Sequence, residues 1–279
     1  MPRRQLAVLT ALAMLAFAAN SLLCRAALRD SGIDAASFTT LRMASGGLML
    51  CLLLHLRGRK PCGGGNWGSG FALFAYAAGF SFAYLSLPAA TGALLLFAAV
   101  QATMIGQALR RGERFGPRQL GGLVLGCAGL ILLLLPGLSA PPLAGALLML
   151  AAGAAWGVYS LRGRGKSDPL QATAGNFLRA LPFALLLSLL GPQTTRLDAA
   201  GFVLALASGA LASGAGYAVW YSVLPALKAS HAGVVQFSVP VIAALGGVLF
   251  LGEPASLRLL LASVAILGGI ALVIAGRQR

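Results

Sequence analysis

The sequence predicts an all-α integral membrane protein with ten transmembrane helices, arranged as two inverted five-helix repeats. Three observations lead to this fold class. Hydrophobic residues make up 58% of the 279 residues and charged residues only 10%, whereas a soluble domain carries about 25% charged residues. Apolar runs near the roughly 20 residues of a bilayer-spanning helix recur along the chain. A pattern of glycine, glutamate and arginine also returns after 140 residues.

Ten apolar spans are separated by polar or Pro/Gly-rich breaks. Their predicted bounds are 5–24, 35–55, 67–87, 91–109, 119–135, 143–160, 171–190, 201–223, 232–250 and 257–275. The first span follows Arg3 and Arg4 but has no convincing cleavage site, so it is expected to be a helix rather than a secretory signal. The short loops predict antiparallel helical hairpins. The sequence does not show the alternation of apolar and polar residues that is typical of a membrane β-barrel.

The distribution of positive charge predicts the orientation of the spans. If the amino terminus is cytoplasmic, fifteen of the 21 lysines and arginines fall on cytoplasmic segments and four on the opposite side. We therefore expect a multi-pass protein of the bacterial inner membrane with both termini in the cytoplasm. The net charge of +15 is divided among the loops of one face, which is typical of orientation signals and not of a nucleic-acid site.

The repeat covers both halves of the chain. When 89–132 is compared with 229–272, eleven of 44 positions are identical, against about five expected by chance. The most informative matches are Gly112-Glu113 with Gly252-Glu253, because charge is rare in this chain. These matches predict two five-helix repeats, 1–138 and 139–279. An odd number of spans per repeat inverts the second copy, as in secondary transporters that work by alternating access around a shared site near the midplane.

Several motifs carry a family resemblance that extends over nearly the whole chain. They are "FAANSLLCRAAL" and "FTTLR" in the first half, and "WGVYS" and "KASHAGVVQFSVPVIAALGGVLFLGEPASL" in the second. The sequence thereby resembles the EamA-type transporters of the drug/metabolite transporter superfamily, which have ten helices. The resemblance implies a bacterial inner-membrane carrier that exports or exchanges small metabolites, amino acids among them.

Aromatic, amide and hydroxyl side chains within the spans are the candidates for a substrate cavity. Their grouping on common helix faces suits an amphipathic zwitterion such as a hydrophobic amino acid, although anchoring at the interface or simple packing explains such residues nearly as well. The candidates are Asn20, Tyr76, Tyr84, Gln101, Trp156, Tyr159, Tyr217, Trp220, Gln236 and Ser238.

Charged and helix-breaking residues form a second set of candidates. Arg42 and Arg179 lie within spans, where they either attract a carboxylate or phosphate or tie helix ends together. The glycine-glutamate pairs, Gly112 with Glu113 and Gly252 with Glu253, are predicted to cap hairpins. The prolines expected to kink or break helices are Pro182 and Pro240.

Other function classes lack their signatures in this sequence. No aspartate or glutamate falls inside a span, so a facilitator or exchanger is a simpler expectation than a proton-coupled antiporter. No metal cluster, Ser-His-Asp set or phosphate loop is present, so neither an enzyme nor a cofactor is expected. The predicted partners are a small metabolite and the lipid bilayer, with a homodimer possible through small-residue faces. The alternative to a carrier is a non-transporting membrane scaffold or partner subunit.

Overall fold

A computed structural model describes residues 2–60, 64–112, 115–136, 140–163, 167–191, 198–227 and 235–276. Within these ranges the chain forms ten helical segments and no strand. They are α1 (Arg3–Asp30), α2 (Ala35–Leu56), α3 (Trp67–Tyr84), α4 (Ala89–Arg110), α5 (Pro117–Leu134), α6 (Leu143–Gly163), α7 (Pro169–Leu190), α8 (Ala199–Ala226), α9 (Ser238–Leu251) and α10 (Leu257–Gly276).

Eight of the described helices are long and apolar enough to cross a membrane. The other two are α3, which contains two serines and two tyrosines, and the 14-residue α9. Large apolar side chains such as Leu48, Leu190 and Phe250 point away from the bundle and are 69–81% exposed. An outer surface of this kind requires a hydrocarbon surrounding, so the chain is a multi-pass membrane protein.

Short polar side chains start several helices. Asp34, Asn66, Asp168 and Asp198 each accept hydrogen bonds from backbone N–H groups in the first turn of α2, α3, α7 and α8. These bonds satisfy donors that have no partner within the helix. Three of the acidic residues, Asp34, Asp168 and Asp198, thus lie at helix starts.

The helix packing has an internal two-fold pattern. Helices α2 and α7, α4 and α9, and α5 and α10 pack against each other. The remaining major contacts come in exchanged pairs: α1 packs on α8 as α3 packs on α6, α1 on α9 as α6 on α4, and α2 on α8 as α7 on α3. If each helix is exchanged for its counterpart in the other repeat (α1 for α6, α2 for α7 and so on), this set of contacts stays the same. The fold is therefore two five-helix repeats, although the predicted boundary at 138/139 lies outside the described residues.

Two helices depart from regular α geometry. The middle of α8, Ala207–Ala215, is a π-helix, a form often found at functional sites. Helix α9 begins at Ser238 after a turn at Gln236 and Phe237. Pro240 has no N–H to bond the Gln236 carbonyl, which instead accepts from the Val239 N–H at 3.1 Å.

The two predicted helix breakers behave differently. Pro240 lies in the first turn of α9, directly after the turn at Gln236 and Phe237, so the helical path is broken beside it. Pro182 lies inside α7, which continues as one helix from Pro169 to Leu190. The structure thus places a break beside Pro240 and an uninterrupted helix at Pro182.

Candidate substrate-binding cavity

A small cavity lies at the centre of the bundle. Its walls come from α1, α2, α3 and α4 of the first repeat and from α6 and α8 of the second. The lining residues are Phe17, Asn20, Ser21, Arg42, Tyr76, Phe80, Leu96, Phe97, Trp156, Ala212, Ser213 and Tyr217. The cavity volume is ≈ 20 Å³, which suffices for about one water molecule. We call it the contracted cavity, because this volume is too small to hold a metabolite.

Arg42 is the charged residue of the cavity wall. Its side chain is only 2% exposed, and its Nη2 donates to the Tyr76 hydroxyl at 2.8 Å, while Nε lies 3.4 Å from the Ser213 Oγ. The guanidinium carbon lies over the rings of Tyr76 and Phe80, 5.1 and 4.8 Å from their centroids. Nη1 is buried and has no hydrogen-bond partner among the described residues.

Aromatic rings of α1, α6 and α8 pack against one another at another part of the cavity. Phe17 packs against Trp156, Tyr217 and Trp220 with centroid distances of 6.4, 5.7 and 6.1 Å. Trp156 also stacks on Tyr76 at 5.7 Å and an interplanar angle of 25°. Such contacts stabilise a rigid apolar wall whose rings keep defined orientations.

Hydrogen bonds fix the polar groups between these rings. Ser208 donates to the Asn20 Oδ1 at 2.7 Å, and the Asn20 amide donates to the Tyr76 hydroxyl at 3.3 Å. The Trp156 indole N–H donates to the Tyr217 hydroxyl at 3.1 Å. Ser208 lies in the π-helical part of α8, as does Ser213. This segment thus brings two hydroxyls to the α1 and α2 side chains that face the cavity.

Four of the ten predicted cavity residues line this cavity, namely Asn20, Tyr76, Trp156 and Tyr217. The other six lie outside its wall. Tyr84 donates to the Ala89 carbonyl near the start of α4, and Tyr159 donates to Thr173. Gln101 is buried within α4, and the buried ring of Trp220 packs against Phe17. Gln236 precedes α9, and Ser238 faces a separate hollow between α1 and α9.

Arg179 does not share the environment of Arg42. Its Nη1 donates to the carbonyls of Gly64 and Gly175 at 2.7 and 2.9 Å. Gly64 lies just before α3, and α3 and α7 begin at the same end of the bundle. The Arg179 guanidinium therefore points toward that end. Of the two predicted intramembrane charges, the structure therefore places one in the cavity and the other at a helix junction.

One end of the bundle is closed by Glu253, which follows α9. Its Oε1 pairs with the Arg25 Nε at 3.2 Å, and its Oε2 accepts from the Ala89 N–H at the start of α4 at 2.8 Å. Arg25 also donates to the carbonyls of Tyr84 and Leu85. We call this group the Glu253 cluster; it connects α1, the α3–α4 hairpin and the α9–α10 hairpin.

The glycines of the two predicted caps have left-handed backbones. Gly112 has φ +82° and Gly252 φ +60°, a conformation that glycine adopts at low cost. Glu253 then turns back to donate its own N–H to the Gly247 carbonyl. Glu113, the partner predicted for Gly112, lies outside the described residues.

The opposite end is held by a separate polar network. Arg162 donates to Ser69 and Asn66 at the start of α3, and the Asn66 N–H donates to the Asn176 side chain. Arg59 pairs with Asp168 at 2.7 Å. Contacts between different hairpins therefore join helices at both ends of the bundle, with the cavity between them.

Comparison with known proteins identifies the family. The model of the EamA-like transporter family matches residues 5–135 and again residues 143–275. The chain belongs to the EamA-like transporter family. This family is part of the drug/metabolite transporter superfamily and has a ten-helix fold with two repeats. The resemblance seen in the sequence motifs is thereby confirmed.

The names of two similar proteins do not mention a substrate. A Pseudomonas aeruginosa relative named "Uncharacterized protein PA1977" is 62% identical, over 99% of this EamA-like chain and 97% of its own length. A solved structure titled "Crystal structure of protein" has a TM-score of 0.70 at 20% identity and covers 99% of both chains. The latter shows that the same fold occurs at low identity.

Several cavity residues were not among the sequence candidates. Phe17 and Ser21 belong to the "FAANS" motif, and Phe97 is identical to Phe237 in the repeat, so sequence signals existed for these three in the EamA-like pattern. Ser213 carried no such signal, because it lies in the small-residue stretch of α8 that reads as packing. Its position depends on the π-helix, which the sequence did not indicate.

Proposed function

We propose that this protein is a secondary transporter that moves small metabolites, amino acids or related compounds among them, across the bacterial inner membrane by alternating access. The observation that carries the proposal is the central cavity, whose wall includes helices of both repeats. A site shared by two halves can be exposed to either side when one half rocks against the other.

The arrangement of polar contacts supports this cycle. The Glu253 cluster joins three hairpins at one end, and contacts of Arg162 and Arg59 join others at the opposite end. In the orientation that the lysines and arginines predict, the Glu253 cluster faces the periplasm. In this cycle, separation of either network opens a path to Trp156 and Arg42.

Transport by the purified protein in proteoliposomes tests the proposal. Accumulation of radiolabelled amino acids, their keto and amine analogues and short carboxylic acids would be compared with that in empty liposomes. We expect at least one solute to cross faster with the protein, and Trp156→Ala to slow that solute about tenfold or more while membrane insertion stays normal, because the indole forms part of the wall.

Trp67→Ala provides the matched control. The Trp67 side chain is 59% exposed and contacts Phe183 on the outside of the bundle, so its removal should leave transport within about twofold. A protein that moves no solute of any class but binds a membrane partner stably would contradict the proposal and favour a scaffold. Normal transport by Trp156→Ala would remove Trp156 from the site.

A further inference from the structure

We infer that Arg42 binds the carboxylate of the transported compound, and that the substrate class is a small organic carboxylate with an apolar or aromatic body and no cationic group. This inference rests on the proposed function and narrows it: of the solutes named there it retains the carboxylic acids and excludes amino acids and amines, which carry an ammonium group. It starts from the position of one buried guanidinium whose hydrogen bonds are incomplete in the contracted cavity.

The charge of Arg42 lacks a carboxylate among its described contacts. Two hydroxyls and two aromatic faces surround the guanidinium. These groups lower the cost of burying the charge, but none of them carries the opposite charge. A cation at this depth is normally held by an acid or by backbone carbonyls. The wall of the cavity thus retains a net positive charge that an anionic ligand would neutralise.

The Nη1 group of Arg42 is the donor that we expect to bind the ligand. It is a buried donor without a partner among the described residues, and Arg42 lies on the wall of the cavity. A buried donor without a protein acceptor must bond to water or to a ligand in the cavity. A carboxylate oxygen placed in the cavity would accept this bond, and its second oxygen would lie near the Tyr76 hydroxyl that Nη2 already contacts. Arginine forms two-point contacts of this kind with carboxylates.

The remaining wall selects the body of the ligand. Phe17, Phe97, Trp156 and Tyr217 face the same cavity and offer ring faces and edges to an apolar group. A ligand that fills this space must first separate these rings, because the contracted volume is too small for it. An aromatic or branched aliphatic body would replace ring–ring contacts with ring–ligand contacts of similar strength.

The same wall disfavours ligands of other charge. An ammonium group would be repelled by Arg42, and the strongest acceptors nearby are already in use: Asn20 Oδ1 accepts from Ser208, and the Tyr217 hydroxyl accepts from Trp156. A phosphate carries more negative charge than one guanidinium balances. A simple carboxylate matches the single charge and can accept from the Nη1 group, which has no partner among the described residues.

Arg179 provides an internal contrast. Its guanidinium is hydrogen-bonded to two backbone carbonyls, so its charge is satisfied within the fold and directed away from the cavity. If arginines in these spans were only structural, both would be expected to have such partners. The difference between the two makes Arg42 the residue that requires a ligand.

Binding of a matched series of probes tests the inference. Phenylacetate, phenylacetamide and phenethylamine have the same body and carry a negative, neutral or positive group. Affinity would be measured for the purified full-length protein by intrinsic tryptophan fluorescence and thermal stabilisation, and uptake in proteoliposomes. We expect phenylacetate to bind about 10- to 100-fold more tightly than phenylacetamide, and phenethylamine to bind no better than the amide.

The variants separate charge from shape. Arg42→Gln should abolish the preference, so that phenylacetate and phenylacetamide bind equally, while Arg42→Lys should retain part of it. The affinity ratio within each variant is independent of changes in overall stability. Arg179→Gln, the control, should keep the wild-type ratio because its charge serves the helix junction.

The outcomes distinguish this inference from the proposed function. A wild-type protein that transports phenethylamine or phenylacetamide as well as phenylacetate would overturn the inference and leave the transporter proposal intact. Arg42-dependent binding of phenylacetate without any transport would support the inference and contradict the transporter proposal. Binding of none of the three probes would overturn the inference, whatever other solutes the protein carries.

Discussion

Replacement of Glu253 by glutamine should open the bundle at the Glu253 cluster. The carboxylate makes two contacts, one with the Arg25 guanidinium at 3.2 Å and one with the Ala89 N–H at 2.8 Å. The side chain is 7% exposed and that of Arg25 14% exposed. A glutamine oxygen can still accept from Ala89, so this substitution removes mainly the charge that Arg25 pairs with.

The expected magnitude lies between two known limits. Breaking a fully buried ion pair costs roughly 3–5 kcal/mol, and an exposed pair contributes at most about 1 kcal/mol. Arg25 keeps its hydrogen bonds to the Tyr84 and Leu85 carbonyls, which reduces the loss. We therefore expect Glu253→Gln to destabilise the closed end by about 1–2 kcal/mol, or a 5- to 30-fold increase in its opening equilibrium.

Thiol accessibility provides the assay. The four native cysteines would be replaced, and Ser21→Cys would place one thiol in the cavity wall, where the native side chain is 2% exposed. The rate of reaction with a membrane-impermeant maleimide added from the Glu253 side reports opening of that end. The glutamine variant should react about 5- to 30-fold faster than its parent, and addition of Arg25→Gln should cause little further increase.

Asp198→Asn is the matched control, because Asp198 caps α8 through the Gly201 N–H and is not part of the Glu253 cluster. It should leave the labelling rate within about twofold. An unchanged rate in Glu253→Gln, or strictly additive effects of Glu253→Gln and Arg25→Gln, would refute the reasoning that this ion pair holds the end closed.

Two further predictions concern glycines and are measured as thermal unfolding in detergent. Gly252→Ala should destabilise the protein by about 1–2 kcal/mol, because the residue has φ +60°. The control Gly116→Ala should be nearly neutral, because Gly116 has φ −73° and open space around it. Equal effects of the two substitutions would contradict the argument from backbone strain. Gly209→Ala should lower the free energy of unfolding by about 1–3 kcal/mol, because a Cβ there would collide with Ser45 and the Arg42 carbonyl. The control Gly268→Ala places its Cβ where no atom lies within 4 Å, so no collision arises. A fully stable Gly209→Ala protein would show that α2 and α8 can separate freely.

The helical architecture could be predicted because its signals lie in the order of the residues and need no knowledge of tertiary contacts. Apolar length and polar breaks mark spans, and the 140-residue repeat marks the two halves. The end of α1 shows the limit of such reasoning. The predicted span stopped at residue 24, but the helix continues to Asp30, where Arg25 and Arg29 bond to carbonyls of distant hairpins. Those partners are tertiary and leave no local pattern.

The cavity could be predicted only in part for a related reason. Trp156, Tyr76, Tyr217 and Asn20 stood out because large or polar side chains are unusual inside spans, and they do line the cavity. Tyr84 and Tyr159 stood out equally but bond within their own ends of the bundle. Residue type indicates which side chains need a polar partner, and only the fold determines whether that partner is protein or ligand.

Corresponding arginines in the two repeats have different partners in the structure, and the sequence alone does not reveal this difference. Arg42 ends the motif "FTTLR", and Arg179 ends the similar stretch "GNFLR" (175–179) of the second half. The sequence therefore offered the same two alternatives for both arginines. In the structure Arg42 faces α3 and the π-helical part of α8, whereas Arg179 reaches the carbonyl of Gly64. The different neighbours direct two long side chains with the same charge to different places.

Access to one cavity position from both faces of the membrane tests the central claim most directly. Ala212→Cys in a cysteine-free protein would place a thiol in the wall, at a residue that is 3% exposed. The account predicts that an impermeant maleimide labels it in right-side-out and in inverted vesicles, and that a transported solute slows both reactions. Labelling from one face only, or no effect of the solute on either reaction, would contradict a shared site that opens to each side in turn.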